Sequence, residues 1–63
     1  MPVITIDLGT IEDKEKKGQL VQALTEAAST VTQIPADKFI VFIKEMEREN
    51  IGVGGKLLSD ILK

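Results

Sequence analysis

The sequence contains no cysteine and no histidine, and each absence excludes a kind of chemistry. Without cysteine, the chain has neither disulfide bonds nor a thiolate that could act as nucleophile or metal ligand. Without histidine, it has no imidazole base, so a Ser–His–Asp triad and a conventional zinc site are both excluded. An enzyme with this sequence must therefore use other groups, such as carboxylates or a terminal amine.

Aromatic residues are scarce, and there is no excess of basic residues. Two phenylalanines are present without tyrosine or tryptophan, so nucleic-acid bases have no aromatic platform on which to stack. The net charge is -2, whereas a nucleic-acid-binding surface needs an excess of positive charge. No apolar run approaches the roughly 20 residues of a membrane span. We therefore expect neither a nucleic acid nor a membrane as partner, and we expect a cytoplasmic protein.

The length of 63 residues predicts a single domain over residues 1–63. Domains below about 70 residues seldom bury enough apolar surface to be stable alone, and they depend on disulfides, a metal or oligomerisation. The absence of cysteine and histidine leaves oligomerisation, and a hydrophobic content of 43% supplies the surface for it. The composition therefore predicts a homo-oligomer.

Two stretches have the pattern of β-strands. Alternation predicts a strand over residues 2–8, with Ile4, Ile6 and Leu8 on one face. Five consecutive apolar residues, 39–43, predict a second strand that is apolar on both faces, as strands of parallel sheets are. The order strand, helix, strand predicts a β-α-β unit with a right-handed crossover. Because one helix covers one face, the other face is expected to meet another chain.

A helix is predicted between the strands, from about residue 13 to about residue 33. Asp13 or Thr10 can cap its start, and Pro35 ends it because proline disfavours a helical conformation of the preceding residue. The charged residues 14–17 are predicted to form a solvated first turn. Apolar residues recur at spacings of three and four and form one stripe: Leu20, Val21, Leu24, Ala27, Ala28 and Val31.

The C-terminal region is rich in glycine. Gly52, Gly54 and Gly55 suit either a hairpin or a bulged strand with backbone at positive φ. The apolar residues that follow suit either a short helical turn or an extended arm on a neighbouring chain. Before the hairpin, three alternating glutamates are predicted to be exposed and unpaired: Glu45, Glu47 and Glu49.

Pro2 is the residue with the most distinctive chemistry. An initiator methionine is normally removed ahead of so small a side chain, which would expose a secondary amine at the start of a strand. An α-amino group has a pKa of about 8, and burial or a nearby cation lowers that pKa and favours the free base. Such an amine could take a proton from a carbon beside a carbonyl and return it elsewhere. A retained Met1 would make the same nitrogen an amide, which is no base.

Several segments together resemble the 4-oxalocrotonate tautomerase family, over essentially the whole chain. They are Met1-Pro2-Val3-Ile4-Thr5-Ile6, the helix, Ile34-Pro35, the strand leading to Glu45-Met46, and Asn50-Ile51-Gly52-Val53-Gly54-Gly55-Lys56-Leu57. The resemblance implies an α+β fold, a β-α-β unit with a C-terminal β-hairpin, assembled as a homohexamer of three dimers. It also implies that Pro2 is the catalytic general base in keto–enol tautomerisation of 2-hydroxymuconate-like enols, with no cofactor and no metal.

The resemblance fails at three positions that the family uses to bind substrate. Glu12 and Ile40 stand where the family has two arginines, and Ile51 replaces an aromatic residue of the pocket. A dianionic substrate would therefore meet the Glu12 carboxylate instead of a cation. Arg48, the one arginine in the sequence, is the first candidate for a substitute cation. Three lysines are weaker candidates: Lys17, Lys38 and Lys44.

These observations favour a tautomerase that acts on 2-hydroxymuconate, 4-oxalocrotonate or related 2-oxo acid enols. Pro2 is its catalytic residue, and Ile40, Ile51 and Arg48 are its candidate substrate-binding residues. Two alternatives stay open at this point. One is a tautomerase-fold oligomer without native catalysis, serving as a binding or structural module. The other is an acidic interaction domain unrelated to the family.

Overall fold

The computed structural model describes residues 1–62, so Lys63, the last residue of the predicted domain, lies outside the described residues. Four strands and two helices follow one another along the chain. Short 3-10 turns at Ala36–Lys38 and Arg48–Asn50 precede and follow the second strand. The elements are β1 (Val3–Gly9), α1 (Lys14–Thr32), β2 (Ile40–Met46), β3 (Gly52–Val53), β4 (Lys56–Leu57) and α2 (Leu58–Ile61).

Strands β1 and β2 form a parallel pair connected by α1. The register runs from Val3 opposite Ile40 to Gly9 opposite Met46, so all seven residues of each strand are paired. The side chains of β1 alternate as predicted, with three half-buried residues between exposed ones. The half-buried residues are Ile4, Ile6 and Leu8. The predicted β-α-β order is confirmed.

Helix α1 begins and ends within about one residue of its predicted limits. Asp13, not Thr10, is the N-cap, and its carboxylate accepts a hydrogen bond from the backbone N–H of Glu15 at 2.9 Å. Gln33 ends the helix in the left-handed region with a φ of 62°, and its N–H donates to the carbonyl of Ser29. The end of the predicted stripe is not covered, because Val31 is 83% exposed in the single chain. Neither helix of the described residues is long and apolar enough to cross a membrane.

Strand β2 has the two apolar faces that its sequence predicts, and one of them is open. Val41 and Ile43 are half-buried, whereas Phe42 and Met46 are 53% and 42% exposed. Thr5 lies opposite Phe42 on β1 and is also exposed. In a single chain, therefore, an apolar side of the sheet faces solvent.

The glycine-rich segment forms the predicted hairpin. Strands β3 and β4 pair antiparallel, and Gly54 and Gly55 connect them with φ values of 60° and 85°. Two consecutive residues at positive φ make the tight turn whose twist matches the strands, and glycine adopts it without strain. The residues after the hairpin form α2. Of the two predicted alternatives, the short helical turn is therefore confirmed and the extended arm is wrong. The N–H of Leu58 donates to the carbonyl of Ile51 at 2.8 Å and holds α2 against the chain before the hairpin.

The single chain lacks a core of its own. No residue of the range 1–62 is buried, and the accessible surface is 5039 Å², against roughly 4,000 Å² for a compact monomer of this mass. The radius of gyration is 15.0 Å, whereas a compact chain of this length has about 11 Å. Such a chain needs contacts with other chains to bury its apolar surface, in agreement with the predicted oligomerisation.

Candidate functional site

A cleft lies at the edge of the sheet where β1 and β2 both end. Its volume is about 620 Å³. One part of its lining is apolar, two carboxylates lie on its walls, and Arg48 is the one cationic side chain among the described residues that line it. The lining residues are Gly9, Thr10, Glu12, Met46, Glu47, Arg48, Ile51, Leu58 and Leu62.

The parallel arrangement of the strands brings these residues together. Because parallel strands end at the same edge, the loop after β1 and the turn after β2 start side by side. The turn is fixed by the N–H of Asn50, which donates to the carbonyl of Glu47 at 2.8 Å. The N–H of Ile51 donates to the carbonyl of Arg48 at 3.2 Å, so both of these predicted substrate-binding residues line one cleft.

Glu45 connects the loop after β1 to the end of β2. Its carboxylate accepts a hydrogen bond from the backbone N–H of Ile11 at 3.2 Å and forms an ion pair with the ammonium of Lys17. The hydrogen bond from Lys17 holds the pKa of Glu45 below its ordinary value, partial desolvation opposes this, and the Ile11 N–H adds a smaller lowering effect. Glu45 thereby restrains the backbone beside Glu12.

Two predictions about charged residues are corrected by this contact. Residues 14–17 are not all solvated, because Lys17 is half-buried and paired with Glu45. Glu45 is not an exposed, unpaired carboxylate like the exposed Glu47 and Glu49 that follow it. The partners are 28 positions apart, so nothing in the local pattern of either segment indicates the pairing.

Pro2 and Ile40 lie at the opposite edge of the sheet, where β1 and β2 begin. The carbonyl of Pro2 accepts a hydrogen bond from the N–H of Ile40 at 3.0 Å, and Pro2 is half-buried. Seven strand residues separate this Pro2 edge from the cleft, which corresponds to about 23 Å at about 3.3 Å per residue. One chain therefore does not bring Pro2 together with Arg48 and Ile51.

The three lysine candidates lie elsewhere in the chain. Lys17 is engaged with Glu45, Lys38 lies in the turn before β2, and Lys44 lies in β2 opposite Asp7. None of the three is among the described residues that line the cleft. Within residues 1–62, no group of three or more acidic side chains is arranged to hold a metal ion.

Sequence reasoning missed the apolar wall of the cleft. Met46, Leu58 and Leu62 line it together with Ile51, but they come from the end of β2 and from α2 and its C-terminal end. The parallel order of β1 and β2 could have identified Met46, because the ends of two parallel strands lie at the same edge of the sheet. The sequence does not show that α2 returns to that edge.

The family model described as "Tautomerase enzyme" matches residues 2–61. The chain belongs to the tautomerase family. This result confirms the resemblance and rules out an unrelated acidic interaction domain. Membership of this family supports keto–enol tautomerase activity, an isomerase reaction, in general terms.

Similar sequences and a solved structure agree with this assignment. A 2-hydroxymuconate tautomerase of Bacillus subtilis is 38% identical over 61 residues, which cover 97% of this chain and 98% of that protein. A probable tautomerase of Bacillus cereus is 38% identical over 60 residues, covering 95% of this chain and 98% of the relative. The crystal structure of YwhB, a homologue of 4-oxalocrotonate tautomerase, is 37% identical with a TM-score of 0.84, covering 94% of this chain and 97% of the other. The predicted α+β fold is thus confirmed.

Proposed function

We propose that the protein is a keto–enol tautomerase that uses Pro2 as general base after removal of Met1. Its substrates are 2-hydroxymuconate, 4-oxalocrotonate or related 2-oxo acid enols. The observation that carries the proposal is the family match, which begins at Pro2 and runs to residue 61. A relative at 38% identity bears the name 2-hydroxymuconate tautomerase, which supports the substrate class.

The position of Pro2, directly before β1, is compatible with a free amine. The hydrogen bond that holds Pro2 to β2 uses its carbonyl oxygen and leaves its nitrogen uninvolved. Met1 is 88% exposed, so its removal takes away a residue with little packing. Removal of Met1 frees the secondary amine of Pro2, and a free amine can accept and return a proton.

The reaction requires one proton to leave and one to return. The free amine of Pro2 accepts the proton of the enol hydroxyl, electrons shift along the conjugated system, and the protonated amine delivers a proton to a carbon. The substrate is isomerised without net gain or loss of electrons. The proposal therefore includes no cofactor and no metal.

A complete site in this proposal takes more than one chain. Because Pro2 and the cleft lie about 23 Å apart, Pro2 of one copy must face the cleft of another to act on a substrate bound there. The open face of β2 around Phe42 supplies an apolar surface for such contacts. We propose a homohexamer, built as a trimer of dimers, in which Arg48 and Ile51 contact the substrate and Ile40 lies beside Pro2.

The single domain spans residues 1–63, and its location is cytoplasmic, with neither nucleic acid nor membrane as partner.

The alternative is a tautomerase-fold oligomer without native catalysis. The observation that favours it is the presence of Glu12 and Ile40 where the family has arginines, because stabilisation of a developing enolate is usually a large part of catalysis. This module would bind or organise other molecules and would turn over no enol above the buffer rate.

The deciding experiment compares native protein with Pro2→Ala. An intact mass spectrum first establishes that Met1 has been removed. Ultraviolet kinetics on 2-hydroxymuconate and phenylenolpyruvate should then show a lower kcat/KM for Pro2→Ala, because the secondary amine of the proline ring is replaced by a primary amine that is held less rigidly. Pro35→Ala, a change of the other proline in the turn before β2, is the matched control and should keep its activity. Equal rates for native protein and Pro2→Ala would exclude Pro2 from the mechanism.

A further inference from the structure

The side chains that line the cleft carry more negative charge than positive charge. Glu12 and Glu47 contribute two negative charges, and Arg48 contributes one positive charge. Within residues 1–62, the one ion pair joins Lys17 and Glu45. Arg48 therefore has no carboxylate partner among the described residues. The guanidinium of Arg48 is therefore available to one anionic group of a ligand, to which it can offer two parallel hydrogen bonds.

The rest of the cleft suits the body of an apolar ligand. Met46 and Ile51 come from the end of β2 and the segment before the hairpin, and Leu58 and Leu62 come from α2 and the residue after it. These four side chains form a wall without polar side-chain groups to pair with a second carboxylate. A ligand that fits this lining has one anionic end and an apolar remainder.

Glu12 lines the same cleft as Arg48, so its carboxylate repels a second anionic group that is placed beside it. It is exposed and follows Ile11, whose N–H is held by the Glu45 carboxylate, so the backbone beside Glu12 is restrained. A carboxylate within about 4 Å of another in water is disfavoured by about fivefold in binding. Glu47 adds a second negative charge on the same cleft.

We propose that Glu12 makes this cleft selective for ligands that carry a single carboxylate and an apolar body over dicarboxylates. Arg48 binds the carboxylate, and the wall around Ile51 contacts the apolar part. As a statement about substrates, the inference rests on the proposed function. As a statement about binding, it does not depend on turnover.

The binding test uses two unreactive acids with the same six-carbon chain, hexanoate with one carboxylate and adipate with two. Each is titrated into the whole oligomeric protein while amide resonances are followed by NMR. Hexanoate should shift the amides of Arg48 and Ile51 and bind more tightly than adipate. Hexanoate is also the more apolar acid, so its preference in the wild-type protein alone is not decisive.

The decisive quantity is the change in the hexanoate-to-adipate ratio on Glu12→Gln. We expect the ratio to fall by about fivefold, because the repulsion of the second carboxylate is removed. Glu49→Gln is the matched control: it removes the same charge next to Arg48 but at a residue that does not line the cleft, and it should leave the ratio unchanged. An unchanged ratio in Glu12→Gln, an equal change in Glu49→Gln, or no binding of hexanoate at Arg48 would each overturn the proposal.

The kinetic test asks the same question of reactive compounds. The ratio of kcat/KM for phenylenolpyruvate, with one carboxylate, to that for 2-hydroxymuconate, with two, should also fall by about fivefold in Glu12→Gln. If neither compound is turned over, the proposed function fails while the binding result still decides the selectivity of the cleft. If both are turned over with a ratio that Glu12→Gln does not alter, the selectivity proposal fails while the tautomerase stands.

Discussion

The two edges of the β1–β2 sheet differ in how they are built. At the Pro2 edge, a backbone hydrogen bond from the N–H of Ile40 to the carbonyl of Pro2 fixes the residue. At the cleft, three separate segments meet, and they are held by the side chain of Glu45, by a 3-10 turn and by the hairpin. The Pro2 edge is thus fixed by a contact between main chains, whereas the cleft depends on contacts among several segments.

The largest expected effect comes from a change that affects both edges through the assembly. Phe42→Asp introduces a charge on the open apolar face of β2, where Phe42 is 53% exposed in the single chain. If that face is buried between copies, the change should cost at least about 3 kcal/mol per site and dissociate the oligomer, as truncation of a buried Phe does. Sedimentation equilibrium measures this.

Gln19→Asp, which adds the same charge at an exposed polar position of α1, is the control and should stay assembled. An oligomer that persists in Phe42→Asp would show that other surfaces hold the copies together.

The next largest effect should come from a change in the hairpin beside the cleft. Gly55→Val places a β-branched side chain at a φ of 85°, which should destabilise the hairpin by about 2 kcal/mol. Thermal melting should detect this loss of stability. Ligand binding at Ile51 should also weaken, because the carbonyl of Ile51 accepts a hydrogen bond from Leu58 at the end of the hairpin.

Gly18→Ala is the matched comparison, since Gly18 has φ in the ordinary range and no atom within 4 Å of an added Cβ in the chain. It should stabilise α1 by up to about 1 kcal/mol. A loss instead of a gain would indicate that Gly18 contacts another copy.

The smallest effect should appear as a pH dependence of the melting temperature, caused by the Glu45–Lys17 contact beside the cleft. The folded-state pKa of Glu45 is lowered by Lys17, so this contact stabilises the protein above the ordinary carboxylate pKa and is lost as the pH falls through the lowered value. Glu45→Gln should therefore melt at a lower temperature than wild type at pH 7, and the difference should shrink towards about pH 3. Calorimetry at both pH values, with Glu49→Gln as control, checks this. A difference that stays constant with pH would mean that the Glu45 charge is not involved.

Local patterns in the sequence were sufficient for the strands and α1. The alternation of Ile4, Ile6 and Leu8 identified the inner face of β1, and Asp13 and Pro35 bounded the helix. These features depend on contacts between residues close in the chain or on the period of an element.

The cleft could be predicted only in part. Of the three candidate substrate-binding residues, Arg48 and Ile51 line one cleft, whereas Ile40 lies at the other edge, beside Pro2. The pairing of Glu45 with Lys17 and Ile11 joins segments about 30 positions apart, and each segment taken alone has the pattern of a solvated surface. Local periodicity carries no information about such contacts.

The parallel pairing of β1 and β2 places the beginnings of both strands at one edge and their ends at the other. In the proposed mechanism the base lies at one edge and the binding surface at the opposite edge, so each chain supplies one half of two different sites. In the proposed mechanism, activity per chain therefore depends on protein concentration. It should stay constant while the assembly is intact and fall when dilution passes the dissociation constant of the oligomer. Folding, assembly and catalysis would then share one threshold.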